Sequence, residues 1–216
     1  MTLTAVLAAG AGCVNGSAAE TTVADVPASQ LSIEPSVIDA SPSPSDGMLP
    51  VVVQFFHGNE FVRLANTAVM CNGVTLPWGS LGYAARVPVP AAGSSMVFTH
   101  VRGGTTTMAT IKVPPRPVIT SPAAGALLTR TTNLAIGYMP STSAGVRPDA
   151  SDGTVGINGS EQSETGTAYL DVSMLHTGAG TVSVARRFVS LPAATGFQGV
   201  VVTYTISSPD TAVSWQ

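Results

Sequence analysis

Along its C-terminal half the chain alternates apolar and polar residues with a period of two. In "NLAIGY" the apolar positions are Leu134, Ile136 and Tyr138, and in "AYLDVSM" they are Ala168, Leu170, Val172 and Met174. In "VVVTYTI" Val200, Val202, Tyr204 and Ile206 alternate with Val201, Thr203 and Thr205. Successive side chains of a strand point to opposite faces, so this pattern predicts strands with one buried and one solvated face in antiparallel sheets. With "PVIT", "ALLTR", "GTVGIN", "TVSVARRFV" and "AVSW" the segment holds seven or eight strands in about 100 residues, the density of a β-sandwich. Nearer the N-terminus, "LPVVVQFF" and "FVRLA" read as two strands joined by the polar turn "HGNE". "AVMCNGVTLPW" places Asn72-Gly73 between two β-prone arms, a strong hairpin signal. "YAARVPV" and "SMVFTHV" follow, and "RGG" turns the chain into "TTTMATIKV". No interval sustains a helical period.

Composition agrees with many short strands and turns. Of 216 residues 22 are Gly and 16 Pro, 44% are hydrophobic and 10% charged. Nine basic against twelve acidic side chains give a net charge of -3, and Lys112 is the single lysine. Such a balance offers no basic stripe for nucleic acid. No apolar run reaches the roughly 18 residues of a membrane-spanning helix. "VPPRPV" cannot continue a ladder at its prolines and divides the chain. Residues 13–47, rich in Ser, Ala, Pro and Thr, read as a flexible, disordered tether. Within it "LSIEPSVI", residues 31–38, is open between tether and a first strand.

These strands resemble immunoglobulin-like or fibronectin-like modules. "RPVITSPAAGALLTRTTNLAIGY" is similar to the opening of Ig-like modules in bacterial surface proteins. "DVSMLHTGAGTVSVARRF", "VTYTISS" and "VSW" resemble exported bacterial lipoproteins. The resemblance implies an all-β fold of two tandem Ig-like antiparallel β-sandwich domains and supplies no catalytic residues. The opening fits that picture. "TLTAVLAA" has the length of a signal-peptide core, and "GAGC" places small residues directly before a cysteine. That arrangement resembles the lipobox of bacterial lipoproteins, which implies that Cys13 is lipidated and becomes the first mature residue. The expected organisation is a signal peptide over 1–12, the lipidated cysteine and tether over 13–47, and a sandwich over 48–113. A Pro-rich hinge over 114–117 and a second sandwich over 118–216 complete it. The chain is then exported and membrane-anchored on the extracytoplasmic side, the alternative being plain secretion. Its partner is an unidentified envelope protein or a glycan.

Candidate chemistry is sparse. His57 and Glu60 flank one turn, His100 lies beside Arg102 and His176 ends a strand, and none has the further ligands a metal site needs. Asp149 and Asp152 in "RPDASDGT", with Glu161 and Glu164 nearby, could offer oxygens to Ca²⁺. Asx-turn formation explains the two aspartates equally well. No metal, cofactor or enzyme activity is therefore assigned. No G-x-S-x-G, H-E-x-x-H or phosphate-binding glycine loop is present. Arg186 and Arg187 are expected one outward and one at a sheet edge. Trp78, Tyr83 and Trp215 could stack on sugars, although a sandwich more often keeps its tryptophans in the core. Cys71, without a partner, is expected to be a buried thiol. The leading expectation is a non-catalytic, protein-binding, adhesive or spacer lipoprotein. A carbohydrate-binding module is the rival, and an undetected hydrolase the third reading.

Overall fold

A computed structural model describes residues 26–39, 46–139, 145–192 and 196–216, together with the backbone of residues 21–23. Among the described residues every element is a β-strand except one 3-10 turn, Ala28–Gln30. The fold is all-β, as the alternation predicts, and arranged in several sheets. The turn residues act where expected. Asn72 and Gly73 both adopt positive φ, 48° and 80°, and close the Met70↔Thr75 and Cys71↔Val74 pairs. Two glycines, Gly103 and Gly104, do the same between the strands Ser95–Arg102 and Thr105–Lys112. A two-residue turn with both φ values positive matches the natural twist of a hairpin.

Two apolar cores form. The first lies between a sheet containing Leu31–Asp39, Met48–His57, Glu60–Leu64 and Gly82–Pro88 and a four-stranded sheet. The latter comprises Thr105–Lys112, Ser95–Arg102, Thr67–Cys71 and Val74–Thr75. Ile33, Val37, Val53 and Phe55 meet Val69, Met96, Phe98 and Ala109 there. The second core packs the three-stranded sheet of Ile119–Ser121, Leu134–Tyr138 and Thr167–Leu170 against Gly145–Ser151, Gly178–Ser190 and Thr211–Trp215. Ile136, Tyr138, Leu170, Val146, Val184 and Trp215 fill it.

One sheet runs through both cores. The 13-residue strand Gly178–Ser190 pairs with Thr211–Trp215 along its first part and with Val202–Ser207 along its last. Val202–Ser207 in turn lies parallel to Leu31–Asp39, with Ser36 opposite Thr203 and Asp39 opposite Ile206. Val200, Val202, Tyr204 and Ile206 therefore belong to the first core, although they come from the end of the chain. Residues 31–38, open in sequence between tether and strand, belong to the strand Leu31–Asp39 near the middle of this sheet. Leu31, Ile33 and Val37 on it are at most 1% exposed. Ile33→Ala should consequently lower stability by about 2–5 kcal/mol, measured by urea unfolding. A cost within about 0.5 kcal/mol, the usual range for exposed positions, would return the segment to the tether.

The segment between the cores has no ladder of its own, in keeping with its prolines. Pro114 and Pro117 are buried. Arg116 Nη2 pairs with Asp39 Oδ1 at 2.5 Å while its Nη1 donates to Ser207 O. A second arginine approaches from the sheet. Val182, Val184, Arg186 and Phe188 share one face of the long strand. The first two enter the second core and Phe188 packs on the first, so Arg186 falls at the joint. Arg187 points outward, as expected, and pairs with Glu161 at 3.2 Å. Arg186 is not at an edge: only 2% exposed, it pairs with Glu164 at 2.5 Å and donates to Pro115 O and Met139 O.

Candidate functional site

A groove beside half-buried aromatic side chains lies at one margin of the first lobe. Phe61 and Arg63 have the same parity on Glu60–Leu64, so both rise from one face of that strand. Trp78–Gly79 pairs back onto Gly82–Tyr83, with Trp78 opposite Tyr83. This tight return requires glycine at position 82. Its φ is 116°, and a Cβ there would come within 2.8 Å of Val53 O.

Tyr83 is fixed at both ends. Its hydroxyl donates to Leu64 O at 2.9 Å and accepts from Leu64 N at 3.0 Å, and its ring meets Phe55 edge-on at 5.6 Å. Burial pushes its phenol above the ordinary range. Trp78 is half-buried. Phe61 stacks on it at 5.3 Å and 20°, Tyr83 approaches edge-on at 5.0 Å, and the Arg63 guanidinium sits 5.6 Å from its ring centroid. The groove, ≈ 510 Å³, is lined by Trp78, Tyr83, Arg63, Asn66, Thr75 and neighbouring residues, but not by Phe61. Phe61 therefore braces the indole from outside the groove. The arrangement joins an aromatic platform to a cation, an amide and a hydroxyl.

The structure joins Trp78 and Tyr83 and leaves Trp215 elsewhere. Trp215 is 2% exposed in the second core, where its Nε1 donates to Ser151 O at 3.1 Å. A Cβ on Gly180 would fall 2.0 Å from that nitrogen, so the glycine makes room for the indole. Of the candidate calcium ligands, Asp149 accepts from Arg147 Nε at 3.0 Å. Burial pushes its carboxyl up, against the pull of Arg147. Asp152 accepts the backbone N–H groups of Thr154, Val155 and His176, and Nδ1 of His176 lies 2.8 Å away. These bonds, led by Val155, hold its carboxyl well below the usual range. Glu161 and Glu164 face Arg187 and Arg186. Each of the four carboxylates thus has a cation or backbone donors at hand. Among the described residues no three metal-ligating side chains converge.

His57 is exposed and lies opposite Glu60 in the backbone register across its turn. His100 is 3% exposed, with Phe55 and Phe197 at ring distances of 5.3 and 5.7 Å. Thr107 Oγ1 lies 3.0 Å from Nδ1 of the ring and 3.3 Å from His100 O. His100 also borders a second cleft, ≈ 340 Å³, beside Pro27, Arg102 and Thr105. Cys71 is buried and its thiol is pushed up to about 12 by burial, so it is inert. Cys13 lies outside the described residues.

Sequence reasoning missed the Arg186–Glu164 pair. The signal was present, because Arg186 occupies an inward position in an otherwise apolar alternation. No protein-family model matches the chain, and no curated protein is significantly similar to it.

Proposed function

We propose that this chain is a non-catalytic cell-envelope lipoprotein whose β lobes serve as a protein-binding, adhesive or spacer module. The observation that carries the reading is the fastening of the joint between the cores. Arg116 bridges Asp39 and Ser207, and Arg186 bridges Glu164, Pro115 and Met139. Two lobes held in fixed relation suit a part that presents a surface at a distance. Attachment would come from acyl chains on Cys13. Each buried CH₂ contributes about 0.8 kcal/mol, so one chain is marginal and two or more are needed for stable anchoring. In its native host, intact-mass analysis should find an acylated mature chain beginning at Cys13 in the membrane fraction, and Cys13→Ser should abolish both. A mature chain starting elsewhere and free in solution would replace the anchor with secretion.

A second reading, a carbohydrate-binding module, is favoured by the Trp78 groove. An aromatic face suits the C–H surface of a sugar ring, and Asn66 and Thr75 supply polar groups at the rim. On a glycan array, binding should disappear in Trp78→Ala while the fold, followed by circular dichroism, persists. Trp215→Ala is not diagnostic, because it would open a cavity in the second core. Binding that survives Trp78→Ala removes the groove from consideration.

A further inference from the structure

Tension applied between Leu31 and the C-terminal strands loads one long parallel strand-to-strand interface directly. Leu31–Asp39 and Val202–Ser207 are parallel, and Gly199–Val200 continues the same register onto Ser32 and Ile33. Backbone bonds from Gln198 N to Leu31 O and from Val201 N to Ile33 O extend the contact. Between these two stretches the pairing lapses over residues 34–35 and 201–202, where Pro35 has no N–H to give. The chain enters this pair at the Leu31 end. It leaves at the Ser207 end and runs on into Thr211–Trp215. Both C-terminal strands are antiparallel to Gly178–Ser190, Val202 lying opposite Ser190 and Trp215 opposite Gly178. They therefore run end to end in one direction, and the exit lies far from the entry.

We propose that the chain is a tension-bearing element and that the parallel pair of 31–39 with 202–207 is its mechanical clamp. Opposed forces at the two ends act along the strand axes and slide one strand past the other. All rungs of the ladder are then loaded together. In a pair pulled from one end the rungs open singly, each under the full load. The load path is short, because it passes from 31–39 directly to 202–207 and out through 211–215. That last strand is also held by a parallel neighbour, Ala126–Leu128. Arg116 bolts the clamp laterally, since it bonds Asp39 on one strand and Ser207 on the other. The three-residue pairing of Thr21–Val23 with Glu60–Leu64 precedes the clamp on this path and, being much shorter, yields first. The inference rests on register and direction, and holds whether or not Cys13 carries lipid.

Single-molecule pulling of the full chain with Cys13→Ser tests it. Handles at the two termini load the clamp in shear. Cysteine handles at Asp46 and Asp210, both exposed and at the same end of the pair, peel it open. At equal loading rate the terminal geometry should unfold at a force at least about twofold higher, a kinetic difference that forced unfolding reads directly. Arg116→Gln should lower the terminal force and leave the peeling force nearly unchanged. A third variant, Ser36→Cys with Thr203→Cys, joins register partners whose side chains are half-buried. Oxidised, it should remove the main unfolding event under terminal load, and reduction should restore it. Equal forces in the two geometries would overturn the clamp, and failure of the disulfide to form would overturn the register beneath it.

Discussion

Removing either partner of the buried Arg186–Glu164 pair should destabilise the protein by about 3–5 kcal/mol, because the remaining charge is left in a site closed to water. The side chains are 2% and 4% exposed, so solvent cannot replace the lost partner. Arg186→Ala also strips donors from Pro115 O and Met139 O, which hold the two lobes to the connecting segment. Urea unfolding should therefore show more than a lower midpoint. Signals from the two cores should separate further than they do in the parent. Glu164→Gln should cost a similar amount, since it leaves Arg186 charged without its counter-charge. The double change Arg186→Met with Glu164→Leu should recover most of the loss, because apolar groups of similar volume often replace a buried pair at little cost. A single-variant cost below about 1 kcal/mol, typical of exposed pairs, would show that the site is wetter than its burial implies.

Acidification should unfold the first lobe through His100. Burial, with Arg102 adding repulsion, lowers its folded pKa from 6.5 to about 4. The native state thus holds the ring neutral where the unfolded chain would protonate it. Stability from this group is fully present above pH 6.5 and is lost as the pH falls from there towards 4. A shift of this size corresponds to about 3 kcal/mol, at 1.36 kcal/mol per pKa unit. Thr107 Oγ1 satisfies Nδ1, but Nε2 is buried beside Phe55 and Phe197 with no hydrogen-bond partner for a second proton, and Arg102 is the charged neighbour that opposes it. His100→Phe keeps the ring packing and removes the titration. The stability difference between pH 7 and pH 4 should then shrink by about 3 kcal/mol relative to the parent. Asp152 and Asp171, held low by their hydrogen bonds, contribute an acid limb of their own, which the comparison of variant with parent cancels. Identical pH profiles for the two proteins would mean that His100 is already protonated or solvated in the fold.

The local chemistry of the chain was legible without coordinates. Alternation at Leu134, Ile136 and Tyr138, and again at Val202, Tyr204 and Ile206, specifies strands and their buried faces, because a period of two has one structural meaning. Asn72-Gly73 specifies a hairpin turn because few residues tolerate positive φ. Partnership between strands is another matter. Nothing local in "VVVTYTI" says that it lies beside "LSIEPSVI", more than 160 residues earlier in the chain. Edge groups of a strand are the same whichever strand they meet, so only the packing of both cores selects the pairing. The same holds for the candidate site. Trp78 and Tyr83 meet through the short return at Gly82, whereas Trp215 is drawn into a separate core by the space at Gly180. Sequence determined that these aromatic residues exist and that the sheet has apolar faces. Tertiary structure alone decided which indole borders a groove, which arginine is buried at the joint and which strands carry the connection between the lobes. Those outcomes depend on contacts between distant segments, whose free energy appears only when both segments are in place.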